Sequence, residues 1–214
     1  LWLIYVGAFT LAWYDRPRFH VSLRRLSLRA FYWMHSNYLA LMPQIASVVL
    51  VIVVAIRALQ ESAGVQTGGI RFENPVLEFL SIAYAPLVEE LSYRISTIGV
   101  LDGLYLALKR PQASADRKPP SAAHVLLLTV WKPERAKELL GLSTIRNSGV
   151  RRGISRFEWS ALIATSLMFG AAHYLSGGGW EIGKISTAFL SGLAMGFSYL
   201  RFGAYAPVLL HWFF

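Results

Sequence analysis

Residues 39–59 hold an apolar run whose core, IASVVLVIVVAI, has nothing to offer water. About 20 apolar residues is the length at which a helix crosses the roughly 30 Å hydrocarbon core of a bilayer. Inside lipid each backbone polar group must be satisfied internally, which favours helices for such a chain. Further apolar stretches lie at 75–108, 158–175, 184–200 and 203–214, and residues 1–14 (LWLIYVGAFTLAWY) read as the end of an earlier span. The expected fold class is all-α, a polytopic transmembrane helical bundle of about six spans. Composition agrees: 15% of the residues are charged, well below the roughly 25% of soluble domains. No signal peptide is visible, and a chain that opens on Leu1 within an apolar stretch reads as trimmed at its start.

A net charge of +9 would suggest nucleic acid in a soluble protein, so the placement of the 21 basic residues decides its meaning. Arg16, Arg18, Arg24, Arg25 and Arg29 fall in one short segment, and eleven more basic residues fall in 109–157. That asymmetry is what the positive-inside rule produces. Both segments are expected on the cytoplasmic side, and no nucleic-acid partner is expected. The middle of the first (VSLRRLSLRAFYWM) is amphipathic and suits the headgroup region. The second is broken by Pro111, Pro119, Pro120 and Pro133; it reads as a basic cytoplasmic loop whose apolar piece, 122–131, is too short to span and suits the interface.

Asn74 followed by Pro75 reads as an N-cap and first helical residue. A helix from there to about 108 would be roughly 50 Å long, more than a bilayer core, with a bend at Pro86. Gly177-Gly178-Gly179 reads as a tight turn on the far side, and Gly192 and Gly196 have the spacing that lets helices approach closely. The expected organisation is one membrane-embedded domain. Residues 1–74 carry the N-terminal spans and basic loop, and 75–214 form a core interrupted by 109–157. No internal repeat supports a pseudo-symmetric transporter.

Ionisable side chains in hydrocarbon cost roughly 2.5–3.5 kcal/mol each and need a partner or a wet cavity. Five stand out: Glu89, Glu90, Arg94, His173 and His211. Glu90 and Arg94 are one helical turn apart and can pair. Glu89 points about 100° away and has no local cation. Adjacent carboxylates in a low dielectric resist ionising together, so Arg94 can hold Glu90 while Glu89 is left for general-base work. His173 and His211, each alone a plausible hydrogen-bonded core histidine, complete a different inventory with that glutamate. A carboxylate and two imidazoles can activate water and stabilise an oxyanion, or hold a divalent metal. Trp180 and the other aromatics near the interfaces read first as belt residues.

Taken in order, Glu89-Glu90-Leu91-Ser92-Tyr93-Arg94 (EExxxR), Phe169 to His173 (FxxxH) and the late His211 resemble the CPBP family of intramembrane proteases, also called Abi, which includes CAAX proteases of the Rce1 type. The resemblance covers about 80–214. It implies an intramembrane endopeptidase that hydrolyses a peptide bond near a substrate's C-terminus or in a membrane-proximal segment. Glu89 would activate water, with Glu90 and Arg94 supporting it. His173 and His211 would position the water or stabilise the oxyanion, and Phe169 would pack beneath His173. The family carries Asn, Asp or Ser four residues after the last histidine, which is position 215. The resemblance favours catalysis without a cofactor; the alternative is zinc held by Glu89, His173 and His211. The implied partners are a membrane-anchored or membrane-associated peptide or protein substrate and the lipid bilayer. The implied location is a multi-pass position in the cell membrane, or in the endoplasmic reticulum membrane of a eukaryote. The alternative function is a non-enzymatic membrane protein, such as a proton-coupled transporter, immunity or scaffold protein, that uses the same carboxylates structurally. Counted along extended spans, Glu89, His173 and His211 lie roughly 21, 22 and 12 Å from their helix starts, so they meet only if helices bend or protrude.

Overall fold

A computed structural model describes residues 38–70, 72–109 and 120–213, together with Leu3, Val6, Gly7 and Thr10. The expected first span and the arginine-rich loop with its amphipathic middle lie outside the described residues, apart from those four. Among the described residues the chain is helical, and the β structure consists of an isolated bridge between Gly68 and Trp180.

The first long helix, α1, runs Tyr38–Ser62. Its stretch Leu41–Ser62 is the one described helix long and apolar enough to cross a membrane. Six spans are therefore an expectation that length and apolarity meet at one place. Helix α2, Pro75–Glu90, starts where the sequence reads a start: the Asn74 side chain accepts from the Val76 N–H at 2.9 Å, and Pro75 follows the cap. The helix runs on past Pro86, whose missing N–H leaves one gap in the ladder, and a further irregularity follows. Leu91–Ile98 form a π-helical segment, which leads into α3, Gly99–Leu108. The hydroxyls of Ser92 and Thr97 donate to the carbonyls of Val88 and Ser92, both at 2.8 Å, supplying bonds where the backbone is out of α register.

Of the basic stretch 109–157, residues 110–119 lie outside the described residues, and 120–157 hold more helix than a loop with one interfacial piece. They contain α4 (Ala122–Trp131), α5 (Pro133–Leu139) and α6 (Ile145–Gly153). Ser121 and Thr144 cap α4 and α6, and Pro133 stands at the start of α5, so the polar residues and the proline punctuate helices here. Leu106, Val125, Ala136 and Leu140 form a small core that fixes α4 and α5 to α3.

Helices α7 (Arg156–Leu175) and α8 (Gly183–Phe202) lie where helices are expected at 158–175 and 184–200, but neither is long and apolar enough to count as a membrane span. Their close packing uses the glycines: a Cβ on Gly196 would stand 2.3 Å from Leu162 Cδ1, and one on Gly170 would stand 2.5 Å from the Ile185 carbonyl. The last helix, α9, is only Tyr205–His211, shorter than the span expected for 203–214. The main core joins α1, α7, α8 and α9 through Tyr38, Met42, Phe169, Met195, Phe202 and Leu209. Large apolar side chains of α1, α2 and α7 face outward, among them Val51, Ile82 and Met168.

At one end of the bundle the connectors are stitched together. Gly69 N–H donates to Gly179 O, Glu181 N–H to Thr67 O and Gly183 N–H to Gln66 O, at 2.9–3.0 Å. The triple-glycine turn that forms this junction places Gly177 and Gly179 at positive φ, 67° and 95°.

Candidate active site

The site starts where α2 becomes π-helical. Glu90, the last residue of α2, and Arg94, one turn on, are both buried, and Arg94 Nη1 donates to Glu90 Oε1 at 3.0 Å. The ion pair that their spacing suggests is therefore present. Arg94 is also held from α7, its guanidinium carbon 4.3 Å from the centre of the Phe169 ring. On α8, Gly192 makes room for it, since a Cβ there would lie 3.1 Å from Arg94 Nη2.

His211 arrives from α9, 121 residues along the chain from Glu90. Its Nδ1 lies 2.8 Å from Glu90 Oε1, and its Nε2 lies 3.7 Å from Glu89 Oε2. With Nδ1–H donating to the Glu90 carboxylate, Nε2 is the nitrogen left to face Glu89. The neighbouring Trp212 secures this approach: its indole N–H donates to the Ala83 carbonyl of α2 at 2.9 Å. From the other side Tyr38 of α1 donates its hydroxyl to the Ala206 carbonyl.

His173 joins less directly. Its Nδ1 donates to the Phe169 carbonyl four residues back, at 2.8 Å, and its ring packs edge-on against Phe169 with centroids 4.6 Å apart. The same phenyl ring lies 5.9 Å from the His211 imidazole. Phe169 therefore touches both histidines and the arginine, while no hydrogen bond links His173 to Glu89 or His211. Glu89, Glu90, Arg94 and His211 are gathered into one cluster, with His173 beside it across the phenyl ring.

Three buried atoms of the cluster lack a hydrogen-bond partner: Glu89 Oε2, Glu90 Oε2 and Arg94 Nη2. An unmet buried polar atom costs about 1–3 kcal/mol, so these atoms are poised to bind water or a polar substrate group. Among the described residues no three His, Cys, Asp or Glu side chains gather into a group that could hold a metal ion.

Two residues that the sequence reading did not place here border the site. Trp180, assigned to the interfacial belt, has its ring 6.2 Å from that of His173. Lys184, at the start of α8, puts its ammonium 3.8 Å from the centre of the Trp180 ring. Trp180 precedes the helix that carries Lys184, so no helical spacing in the sequence signalled this contact. Trp212 gave no signal at all, because its partner is a backbone carbonyl 129 residues away.

Compared with known families, residues 72–214 match the family described as Type II CAAX prenyl endopeptidase Rce1-like. No curated protein and no solved structure matches the chain.

Proposed function

Since the chain belongs to the type II CAAX prenyl endopeptidase Rce1-like family, we propose that it is an intramembrane endopeptidase in which Glu89 activates the attacking water. Family membership carries the protease assignment; the assignment of the base rests on geometry. The observation that carries it is the division of labour around His211. Glu90 Oε1 is taken by both Arg94 Nη1 and His211 Nδ1, whereas the Glu89 carboxylate stands 3.7 Å from His211 Nε2 and is held by neither of those short bonds.

In the reaction Glu89 takes a proton from water as the oxygen adds to the scissile carbonyl carbon. Negative charge develops on the carbonyl oxygen and is stabilised by His211 and His173 in their imidazolium forms, which donate from Nε2 while Nδ1 stays bonded to Glu90 and to the Phe169 carbonyl respectively. Collapse of the tetrahedral species breaks the C–N bond. The proton held by Glu89 passes to the leaving amine, so that base and acid are one group. Glu90 acts through His211 as its orienting partner, in the way a carboxylate fixes the tautomer of a catalytic imidazole. In this reading the water is activated by the carboxylate, and zinc held by Glu89, His173 and His211 is the alternative that the chelator test below separates.

The substrate is a membrane-associated peptide or protein cut near its C-terminus or close to the bilayer. The bundle crosses the membrane several times, as a multi-pass protein. The outward-facing apolar residues of α1, α2 and α7, opposite a buried charged cluster, support this. A fluorogenic peptide bearing a C-terminal prenylated cysteine motif, incubated with the protein in detergent or vesicles, tests the proposal. Cleavage by the wild type, its loss in Glu89→Gln with an unchanged melting profile, and its persistence in a chelator would support the reading. Undiminished cleavage by Glu89→Gln would remove that residue from the mechanism.

A further inference from the structure

At the opposite end of α8 from Lys184, about 26 Å along the helix by its rise, a second feature lies outside the candidate active site. A cavity of about 300 Å³ is lined by Lys132, Glu134, Arg135, Glu138, Arg146 and Arg201, with Phe202 and Gly203 at its base. Four cationic and two anionic side chains give it an excess of two positive charges.

Its frame is built. Glu134 is buried and uses both oxygens, one accepting from Arg201 Nη1 at 2.7 Å and the other from the Arg146 backbone N–H at 3.0 Å. Arg135 pairs with Glu138 at 3.0 Å. The C-terminal ends of α8 and α4 are drawn together at the base, where Ala204 N–H donates to the Trp131 carbonyl at 3.1 Å. Gly203, at φ 97°, permits this: a Cβ there would stand 2.7 Å from the same carbonyl. With Glu134 committed to Arg201 and the Arg146 backbone, the exposed Arg146 side chain supplies positive charge to the rim.

Exposed apolar side chains lie on helices that carry or adjoin the lining residues, with Trp131 preceding Lys132 and Leu139 following Glu138 in the chain. Leu127 and Trp131 of the short apolar helix α4 are 67% and 45% exposed, and Leu139 of α5 is 47% exposed. A cationic cavity rimmed by arginines suits a phosphate group, whose oxygens match the guanidinium fork. Exposed leucine and tryptophan on the same helices suit an acyl chain. The two together on the side of the basic stretch 109–157 fit an anionic lipid of the cytoplasmic leaflet.

We propose that this cavity binds a phosphate group, and that it takes it from the headgroup of an anionic phospholipid, so that the α4–α5–α6 segment is seated on the bilayer through it. The proposal does not depend on the peptidase reading, because its test involves no peptide cleavage.

The test is native mass spectrometry of the detergent-solubilised full chain, titrated with phosphatidylglycerol, phosphatidylcholine or inorganic phosphate. The expected result is retention of phosphatidylglycerol over phosphatidylcholine, weakened about fivefold by Arg146→Ala, as one cation near an anionic headgroup is worth. Arg146→Lys should keep the preference. So should the paired substitution Arg151→Ala and Arg152→Ala, exposed charges of α6 that do not line the cavity. A thermal melt of each variant establishes that it is folded. Equal retention of the two lipids, an unchanged preference in Arg146→Ala, or an equal loss in the Arg151/Arg152 variant would overturn the proposal. Binding of inorganic phosphate without phosphatidylglycerol would overturn the assignment to lipid.

Discussion

A single oxygen of Glu90 receives both Arg94 Nη1, at 3.0 Å, and His211 Nδ1, at 2.8 Å. Charge neutralisation and imidazole orientation thus depend on the same buried carboxylate. Glu90→Gln should therefore impair both stability and turnover. Breaking a buried ion pair leaves the remaining charge unmet, a loss of about 3–5 kcal/mol. Thermal unfolding in detergent should show a large drop for Glu90→Gln and little for Glu89→Gln. Equal melting of the two variants would contradict the separation of roles.

Phe169 touches Arg94, His173 and His211 with one ring. Phe169→Leu keeps much of the volume but removes the aromatic face and edge, each such contact being worth about 0.5–1.5 kcal/mol. Peptide cleavage should fall more than stability does, because two histidines lose the surface that sets their rings. A variant with wild-type turnover would show that the ring only fills space.

Trp212→Phe deletes the indole donor to Ala83 O and leaves an aromatic ring in place. The expected loss is about 1 kcal/mol, together with lower kcat, since the bond holds α9 and His211 against α2. A crystal or cryo-EM structure of the variant should show His211 displaced from Glu89.

The two close glycine contacts between α7 and α8 should differ in tolerance. An added Cβ at Gly170 meets the Ile185 backbone carbonyl at 2.5 Å, whereas at Gly196 it meets the end of the Leu162 side chain. A leucine can change rotamer but a helix carbonyl cannot, so Gly170→Ala should cost about 1–3 kcal/mol and Gly196→Ala less. Paired thermal melts read the order directly.

Asp102 is fully buried in α3, with neither carboxylate oxygen hydrogen-bonded, near the buried Lys137–Glu158 pair at 2.8 Å. Asp102→Leu removes an unmet polar group and keeps that pair. Stability should rise by about 1–3 kcal/mol, measured as a higher unfolding temperature; a fall would mean that Asp102 is needed by its neighbours.

The sequence was most informative where chemistry is local. The Asn74-Pro75 start, the Glu90–Arg94 pair and the Phe169–His173 contact each span two to four residues, and each occurs as its spacing implies. The π-helical segment was not legible, because nothing in the apolar pattern of 91–98 distinguishes a wide turn from an ordinary one. The stretch 109–157 misled through its prolines and charges: a proline at a helix start is favourable, so breaks in pattern marked boundaries between short helices. The meeting of Glu89 with His211 was out of reach in principle. Counting residues along straight helices places groups at depths, and only the path of α9 against α2 brings these two within 3.7 Å.

The stitched connectors have a mechanical consequence. Because backbone bonds fasten residues 66–69 to residues 179–183, the α1–α2 and α7–α8 hairpins behave at that end as one buckle, and Trp180 rides on it beside His173. Severing the chain between Gly64 and Gly68 would leave each helix its own ladder yet unfasten the buckle, loosening the wall next to an imidazole from a cut made in a different hairpin.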